Sequence, residues 1–306
     1  MLYAVAPGNA SIEMPKGRKL DSTSLLTRSH EAAFGYPRDF LDNQFVYLVI
    51  SPRARGLAIG LNVNPEPKCN LNCRYCDTDW NLPPRRLRFS VDQLVGELER
   101  TLALVRSGEL KQRAPYIRLP EDLLQLRHVA LSGDGEPTLS EHFQEVTEAV
   151  VTLRRNNRPF KIVLVTNSTT LDQVQVQNAL MLLDWRDEPW LKLDAGTQGY
   201  FEKVSGASLP LVKILANILV VARQRPVIIQ SLFTAIKGEE PPEAEIGAYA
   251  TRLKELKAAG AKISLVQIYS ATRPMALAGC QPLRLNTLSK IARAVWHVSG
   301  LRAEVF

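Results

Sequence analysis

Three of the four cysteines lie within eight residues of one another, as Cys69, Cys73 and Cys76 in the spacing Cys-x-x-x-Cys-x-x-Cys. Three thiolates on one short loop can hold three corners of a cubic [4Fe–4S] cluster, whereas structural clusters normally take four cysteines. The fourth iron would then be open to a substrate, as a catalytic metal site requires. Two other interpretations stay open: a structural zinc site completed by Cys280 or a histidine, and core cysteines without a ligand. Zinc sites favour paired Cys-x-x-Cys spacings, and the sequence has no second pair downstream.

A glycine-rich motif follows the cysteines by about sixty residues, as Ser132-Gly133-Asp134-Gly135-Glu136-Pro137-Thr138. Together with the cysteine spacing and the aromatic Tyr75 before the third cysteine, this motif resembles the radical S-adenosylmethionine (radical SAM) superfamily. Two motifs in this order are more specific than either one alone. The superfamily usually shows Gly-Gly-Glu, whereas Asp134 interrupts the glycines here. We therefore align Gly135-Glu136-Pro137 with the motif.

Two further stretches resemble a bacterial branch of the superfamily that is related to the wyosine-type tRNA-modifying Fe–S oxidoreductases. They are Ile50-Ser51-Pro52-Arg53-Ala54-Arg55-Gly56-Leu57 and Lys192-Leu193-Asp194-Ala195-Gly196-Thr197. The similarity runs from about Phe45 to the C-terminus. It favours RNA or a tRNA base as the substrate, whereas the lack of an appended RNA-binding domain favours a small molecule.

The resemblance implies a specific chemistry for the site. The three cysteines would bind the cluster, whose open iron would hold the amino and carboxylate groups of S-adenosylmethionine (SAM). The reduced cluster would cleave SAM to a 5′-deoxyadenosyl radical, which abstracts hydrogen from the substrate; a flavodoxin or ferredoxin would supply the electron. The strip Gly133 to Glu136 would bind the methionine ammonium, and Tyr75 would lie against the adenine. A plain strand–turn–helix connection and simple packing of Tyr75 are the structural alternatives.

Polar residues at the predicted strand ends are further candidates, because barrel enzymes place ligand contacts there. Asp194 is a candidate for a ribose hydroxyl, and Asn167 for the methionine carboxylate or the substrate; either could instead be a cap or turn residue. Gln230 and Gln267 lie in apolar strands and need hydrogen-bond partners, which a barrel interior can supply. Lys192 could point inward and hold a carboxylate or carbonyl of the substrate.

The fourth cysteine, Cys280, lies too far along the chain to count as a cluster ligand. It is a candidate catalytic residue that donates a hydrogen atom to a product radical, or else a small apolar side chain. No further cysteines remain for an auxiliary cluster, so one cluster is the limit.

The order of the elements predicts an α/β fold, a partial (β/α)6 TIM-like radical SAM barrel. Six strands alternate with helices from Leu57 onward, which implies a parallel sheet with right-handed crossovers. A strand at Phe45 to Ile50 precedes them. We expect residues 1–44 to form an irregular N-terminal extension and residues 45–306 to form the barrel domain. The expected elements are strands at 57–63, 128–131, 161–165, 190–194, 227–232 and 262–269, and helices at 91–106, 138–155, 172–183, 209–223, 242–259 and 287–298.

Composition sets few limits beyond a folded domain of 306 residues. No run of eighteen apolar residues and no secretory leader is present, so we expect a cytoplasmic protein without a membrane span. The net charge of +7 permits an anionic partner such as RNA. Two arginine groups are more typical of solvated surface; they are Arg85, Arg86 and Arg88, and Arg154, Arg155 and Arg158. The first group could instead meet the phosphates of an RNA. Two other functions stay open: a metal-bound, non-catalytic nucleic-acid-binding protein, and aminocarboxypropyl transfer from SAM.

Overall fold

The computed structural model describes residues 40–64, 68–76, 78, 88–156, 159–271 and 279–306. Most of the expected N-terminal extension lies outside these residues. The described strands are β1 (Val46–Ser51), β2 (Gly56–Asn62), β3 (Leu126–Ser132), β4 (Ile162–Thr166), β5 (Glu188–Lys192), β6 (Val227–Leu232), β7 (Thr234–Ile236), β8 (Ile263–Tyr269), β9 (Cys280–Pro282) and β10 (Ala303–Val305). The described helices are α1 (Val91–Ser107), α2 (Phe143–Asn156), α3 (Val174–Met181), α4 (Gln198–Ser205), α5 (Leu211–Gln224), α6 (Glu243–Ala258) and α7 (Leu285–Ser299).

The main sheet has eight strands in the order β1-β2-β3-β4-β5-β6-β8-β10. The expected six parallel strands, β2 to β6 and β8, lie in the middle, with β1 antiparallel at one edge and β10 parallel at the other. Short strands β7 and β9 form a separate antiparallel pair. The sheet edges approach each other through an ion pair, 3.0 Å long, between Arg55 in the β1–β2 turn and Glu304 on β10. The partial α/β barrel is therefore confirmed.

Side chains alternate between two faces along each strand. On β5, Leu191 packs with the helices in the main core. Its neighbour Trp190 points to the opposite face, where it forms a separate apolar cluster with Val163 and Ile228 from the strands on either side. That face is the interior of the barrel. Lys192, two residues after Trp190, lies on the same face.

The first helix begins where the sequence predicts it. The hydroxyl of Ser90 accepts a hydrogen bond from the backbone N–H of Gln93, and Gly108 ends α1 in the left-handed conformation. The buried Glu97 of α1 accepts hydrogen bonds from the backbone N–H groups of Gln44, Phe45 and Val46. This carboxylate therefore fixes α1 to the start of β1.

The second helix begins later than the sequence predicts. The expected start of this helix at residue 138 is wrong, because residues Pro137–Leu139 form a separate 3-10 turn and α2 starts at Phe143. The Thr138 hydroxyl contacts the buried Glu136 and Thr170 instead. The predicted fourth strand also shifts by two residues, since β5 spans Glu188–Lys192.

Candidate functional site

The cysteine loop is fixed on one side by the glycine motif. The backbone N–H of Glu136 donates to the carbonyl of Lys68 over 2.8 Å, directly before Cys69. Gly135 lies so close to the same segment that a Cβ atom there would overlap the backbone of Lys68. The side chain of Asn64 adds hydrogen bonds to the carbonyls of Lys68 and Glu136. Glycine is required at this position because two backbone segments meet there.

The opposite side of the loop rests on the end of α4. The N–H groups of Asn72 and Arg74 donate to the carbonyls of Ser205 and Val204, at 2.8 and 2.9 Å. Gly206 ends α4 with a φ of 61°, and a Cβ there would overlap the carbonyl oxygen of Asn72. The loop that carries the three cysteines is thus held between two glycines that are 71 residues apart in the chain.

The three cysteines share a partly buried environment at the carboxyl end of the parallel strands. Cys69 accepts long hydrogen bonds from the N–H of Leu71, at 3.5 Å, and from the side chain of Asn167, at 3.6 Å. Burial raises the pKa of the Cys69 thiol and raises that of Cys73 to about 12, although the ammonium of Lys192 acts in the opposite direction on Cys73. Hydrogen-bond donors at a sulfur suit a cluster-bound thiolate, so the donor set and its surroundings fit a [4Fe–4S] cluster. Within the described ranges, no set of three or more His, Cys, Asp or Glu side chains meets the geometry of a single metal ion.

Glu136 is turned into the protein. Its carboxylate accepts hydrogen bonds from the hydroxyl of Thr138, from the hydroxyl of Thr166 at 2.6 Å and from the N–H of Asn167 at 2.6 Å. Burial raises the pKa of this carboxyl group, against the effect of these hydrogen bonds. The side chain therefore joins the ends of β3 and β4, and any contact of this residue with a ligand would involve its backbone.

The other motif residues lie at the same end of the sheet. Asn62 receives the backbone N–H of Asp134 at 3.1 Å and donates its amide to the Asp134 carboxylate at 2.7 Å. A Cβ at Gly133 would lie 2.8 Å from the Asn62 side chain. The Asn167 side chain donates to Asn70 on the cysteine loop at 3.0 Å and accepts from the hydroxyl of Thr169 at 2.7 Å.

Tyr75 and Asp194 come together inside the barrel mouth. The Tyr75 hydroxyl donates to one carboxylate oxygen of Asp194, and the backbone N–H of Leu232 donates to the other at 2.8 Å. The Lys192 ammonium lies 3.5 Å from Asp194 and donates to the hydroxyl of Tyr269 at 3.3 Å. Burial alone would lower the pKa of Lys192, but Asp194 and Tyr269 outweigh it and the pKa is raised. A cavity of about 20 Å³, room for about one water, is lined in part by Cys73, Tyr75 and Asp194.

The two glutamines contact each other. Gln230 donates its side-chain amide to the carbonyl oxygen of Gln267 at 2.8 Å, and both residues are buried. They lie beside Lys192 in the sheet, because Lys192 pairs in register with Gln230, and Gln230 with Gln267. The expectation that these strands carry polar groups into the interior is consistent with this arrangement.

Cys280 begins β9 at the barrel mouth. It packs against an apolar cluster that includes Tyr75 and Ile236, with Cys73 at the edge of the same cluster. Burial raises the pKa of its thiol, whereas Thr234 and Arg74 lower it. Its position beside the cysteine loop is compatible with either a hydrogen-donating or a packing role.

The arginine groups differ from the expectation. Arg154 is neither solvated surface nor free to meet a phosphate, because its guanidinium forms a buried ion pair with Asp187 at 2.6 and 2.8 Å. Arg88 is exposed, and Arg85, Arg86 and Arg158 lie outside the described residues.

Sequence reasoning missed two features of the site. One is the close contact of Gly206 with Asn72, which leaves no room for a side chain. No local sequence pattern links two positions so far apart. Arg53 lies with its guanidinium 4.2 Å from the ring centroid of Tyr269, although it belongs to the β1–β2 turn. The stretch from Ile50 to Leu57, which carries part of the family resemblance and contains Arg53, was the available signal for this residue.

No protein-family model matches the chain. A UPF0026 protein of Synechocystis sp. is 27% identical over 177 residues, which is 56% of this chain and 57% of that protein. The chain thus spans less than two-thirds of that relative. TYW1 with a bound lysine–pyruvate adduct matches with a TM-score of 0.51 at 17% identity, over 80% of this chain and 74% of that one. Two variants of spore photoproduct lyase each match with a TM-score of 0.53 at 12% identity, over 80% of this chain and 75% of that one. The chain therefore has the fold of these solved structures.

Proposed function

We propose that the protein is a radical SAM enzyme with one [4Fe–4S] cluster held by Cys69, Cys73 and Cys76. The observation that carries the proposal is the contact between its two motifs, in which Gly135 and Glu136 pack on the backbone of Lys68. Two stretches that resemble one superfamily in sequence are thereby joined into one site at the carboxyl end of the parallel strands. That end is where barrel enzymes bind ligands.

When bound, the cluster would supply the electron that cleaves SAM to a 5′-deoxyadenosyl radical, which abstracts hydrogen from the substrate. The protein positions the reactants. The backbone of Gly133 to Glu136 offers a close approach for the methionine part of SAM, and Asn167 reaches the same region through its contact with Cys69. The buried carboxylate of Glu136 holds these segments in place through its hydrogen bonds to Thr138, Thr166 and Asn167.

Asp194 accepts a hydrogen bond from the Tyr75 hydroxyl. When SAM binds, a ribose hydroxyl would replace the Tyr75 hydroxyl as donor to this carboxylate. Release from Asp194 would free Tyr75 to lie against the adenine. Cys280 packs in the same apolar cluster as Tyr75 and would be the hydrogen-atom donor to a product radical. Reduced cysteines and an oxygen-sensitive cluster suit the cytoplasm, with a flavodoxin or ferredoxin as reductant.

The test is anaerobic reconstitution with iron and sulfide, followed by dithionite and SAM and by mass spectrometry of the products. Cys73→Ala removes a proposed ligand, and Cys280→Ala is its matched control with the same change outside the ligand set. We expect wild type and Cys280→Ala to bind about four irons and Cys73→Ala to bind fewer; wild type should form 5′-deoxyadenosine and Cys73→Ala should not.

Three outcomes would contradict the proposal. Methylthioadenosine as the product would indicate aminocarboxypropyl transfer. Zinc in the purified protein, with no cluster assembled and no SAM binding, would favour a non-catalytic binding protein. Equal iron content in Cys73→Ala and wild type would remove Cys73 from the ligand set.

A further inference from the structure

The barrel interior contains a row of polar groups that the cluster and SAM do not use. Lys192, Gln230 and Gln267 are neighbours in register on β5, β6 and β8. They lie two residues beyond the apolar Trp190, Ile228 and Leu265, which fill the interior below them. TIM-barrel interiors are packed with apolar side chains, so a polar layer at this depth needs a reason.

The glutamine pair leaves hydrogen-bonding capacity unused. Each carboxamide has two N–H donors and a carbonyl acceptor, and one bond joins the two residues. Among the described residues, no other side-chain hydrogen bond is found for Gln230 or Gln267. Gln230 is 1% exposed and Gln267 is 2% exposed. Polar groups so deeply buried are unfavourable without hydrogen-bond partners, unless a ligand or water contacts them.

Arg53 reaches the same interior from the β1–β2 turn. Its guanidinium lies 4.2 Å from the ring centroid of Tyr269, and the Lys192 ammonium lies 5.6 Å from the same centroid. Its Nε is buried and has no hydrogen-bond partner, and no ion pair of Arg53 is found within the described part of the chain. Arg55, two residues later, is paired with Glu304 and is largely exposed. Of the two arginines in this turn, Arg53 is thus half-buried and Arg55 is exposed.

Among the described residues, the cations that face this interior outnumber the carboxylates. Arg53 and Lys192 are positive, and Asp194 is the carboxylate that faces them, 3.5 Å from Lys192. Glu304 is engaged by Arg55 and Arg302. His128 adds no charge, because burial, Lys161 and Arg53 lower its pKa to about 3. Among the described residues, Arg53 therefore has no carboxylate partner, and its buried Nε has no hydrogen-bond acceptor.

We propose that the substrate carries a carboxylate group, which Arg53 binds inside the barrel with Lys192 and the glutamine pair as further donors. This inference rests on the proposed function and adds its substrate class. A carboxylate supplies the acceptor that the Arg53 guanidinium lacks among the described residues, and it matches the fork of that group. A phosphate would bring about −1.5 to −2 charges, whereas one cation of this interior lacks a carboxylate partner among the described residues.

The test measures anion binding directly on the reconstituted protein without SAM. The carboxyl resonance of ¹³C-labelled acetate is followed by NMR as protein is added, and inorganic phosphate is titrated in parallel. Arg53→Gln removes the charge and keeps a polar side chain. Arg55→Gln is the matched control, with the same change two residues away on the exposed side of the turn. Arg53→Lys keeps the positive charge but lacks the two-pronged geometry of the guanidinium. The melting temperature of each variant reports whether it is folded.

We expect wild type and Arg55→Gln to bind acetate with the same affinity. Arg53→Gln should bind acetate roughly tenfold to hundredfold more weakly, because a charged hydrogen bond is lost. The affinity of Arg53→Lys should lie between these two. Acetate binding that is unchanged in a folded Arg53→Gln would overturn the proposal, as would binding of phosphate in place of acetate or of neither anion. Formation of 5′-deoxyadenosine is assayed separately on the same preparations. If it fails while Arg53-dependent acetate binding persists, the carboxylate site stands and the radical function does not.

Discussion

The ammonium of Lys192 lies 4.5 Å from the ring centroid of Tyr75, the residue directly before Cys76. The same ammonium acts electrostatically on Cys73 and is held by Asp194 and Tyr269. One interior cation is therefore connected to the loop that carries the cysteines. Because net charge near a cluster influences its reduction potential, this contact bears on electron transfer.

Replacing Lys192 with methionine is expected to make the cluster harder to reduce. The positive charge favours the more negative, reduced state, so its loss shifts the midpoint potential to more negative values by tens of millivolts. Redox titration followed by EPR measures the shift. Lys203→Met is the matched control, because Lys203 is exposed and paired with Glu239. A potential that is unchanged, or that moves in the positive direction, in Lys192→Met would show that this charge does not act on the cluster.

Replacing Gly135 with alanine is expected to displace the cysteine loop. The added Cβ would overlap the backbone of Lys68, and overpacking of this kind costs about 1–3 kcal/mol in the free energy of unfolding. The loop should then hold less iron and sulfide after reconstitution. Gly247→Ala is the control, because a Cβ there meets nothing within 4 Å and the helix should gain up to about 1 kcal/mol. Full iron content in Gly135→Ala would show that the close approach does not hold the loop.

The sequence predicts the barrel well where side-chain patterns are local. The six central strands follow from apolar runs, and α1 follows from Ser90 and its spacing to Gln93. β10 was missed because three residues at a sheet edge give no periodic pattern, and α4 because a helix of eight residues gives only a short one. The cysteines and the glycine motif stand out in sequence, whereas the contact of Gly206 with Asn72 and the stacking of Arg53 on Tyr269 depend on tertiary packing alone.

Replacing Asp187 with asparagine is expected to destabilise the fold. This carboxylate is fully buried and accepts hydrogen bonds from Arg154 and from the N–H groups of Ile162 and Asp184, both at 2.8 Å. Removing its charge leaves a buried arginine without its main partner, at a cost of about 3–5 kcal/mol. Asp172→Asn removes a half-exposed carboxylate 3.7 Å from Lys213 and should change stability by less than about 1 kcal/mol. Urea unfolding of both variants checks this, and equal effects would contradict it.

Acidification is expected to destabilise the protein through His128. This ring is buried against Trp190, with ring centroids 5.1 Å apart, and its pKa is lowered to about 3 by burial first and then by Lys161 and Arg53. In the unfolded chain the pKa is about 6.5. Between these values only the unfolded state takes up the proton. Stability from the neutral ring is therefore complete above pH 6.5 and falls by about 1.4 kcal/mol for each pH unit below it.

The measurement is the free energy of unfolding of wild type and His128→Phe at pH 6.5 and pH 5. The carboxylates contribute equally to both proteins, so the difference between them isolates the histidine. Phenylalanine keeps an aromatic ring against Trp190 but cannot titrate, so its advantage over wild type should grow by about 2 kcal/mol across this range. His297→Gln, a change at an exposed histidine, should follow wild type. A parallel pH dependence of His128→Phe and wild type would mean that His128 takes up its proton in the folded protein.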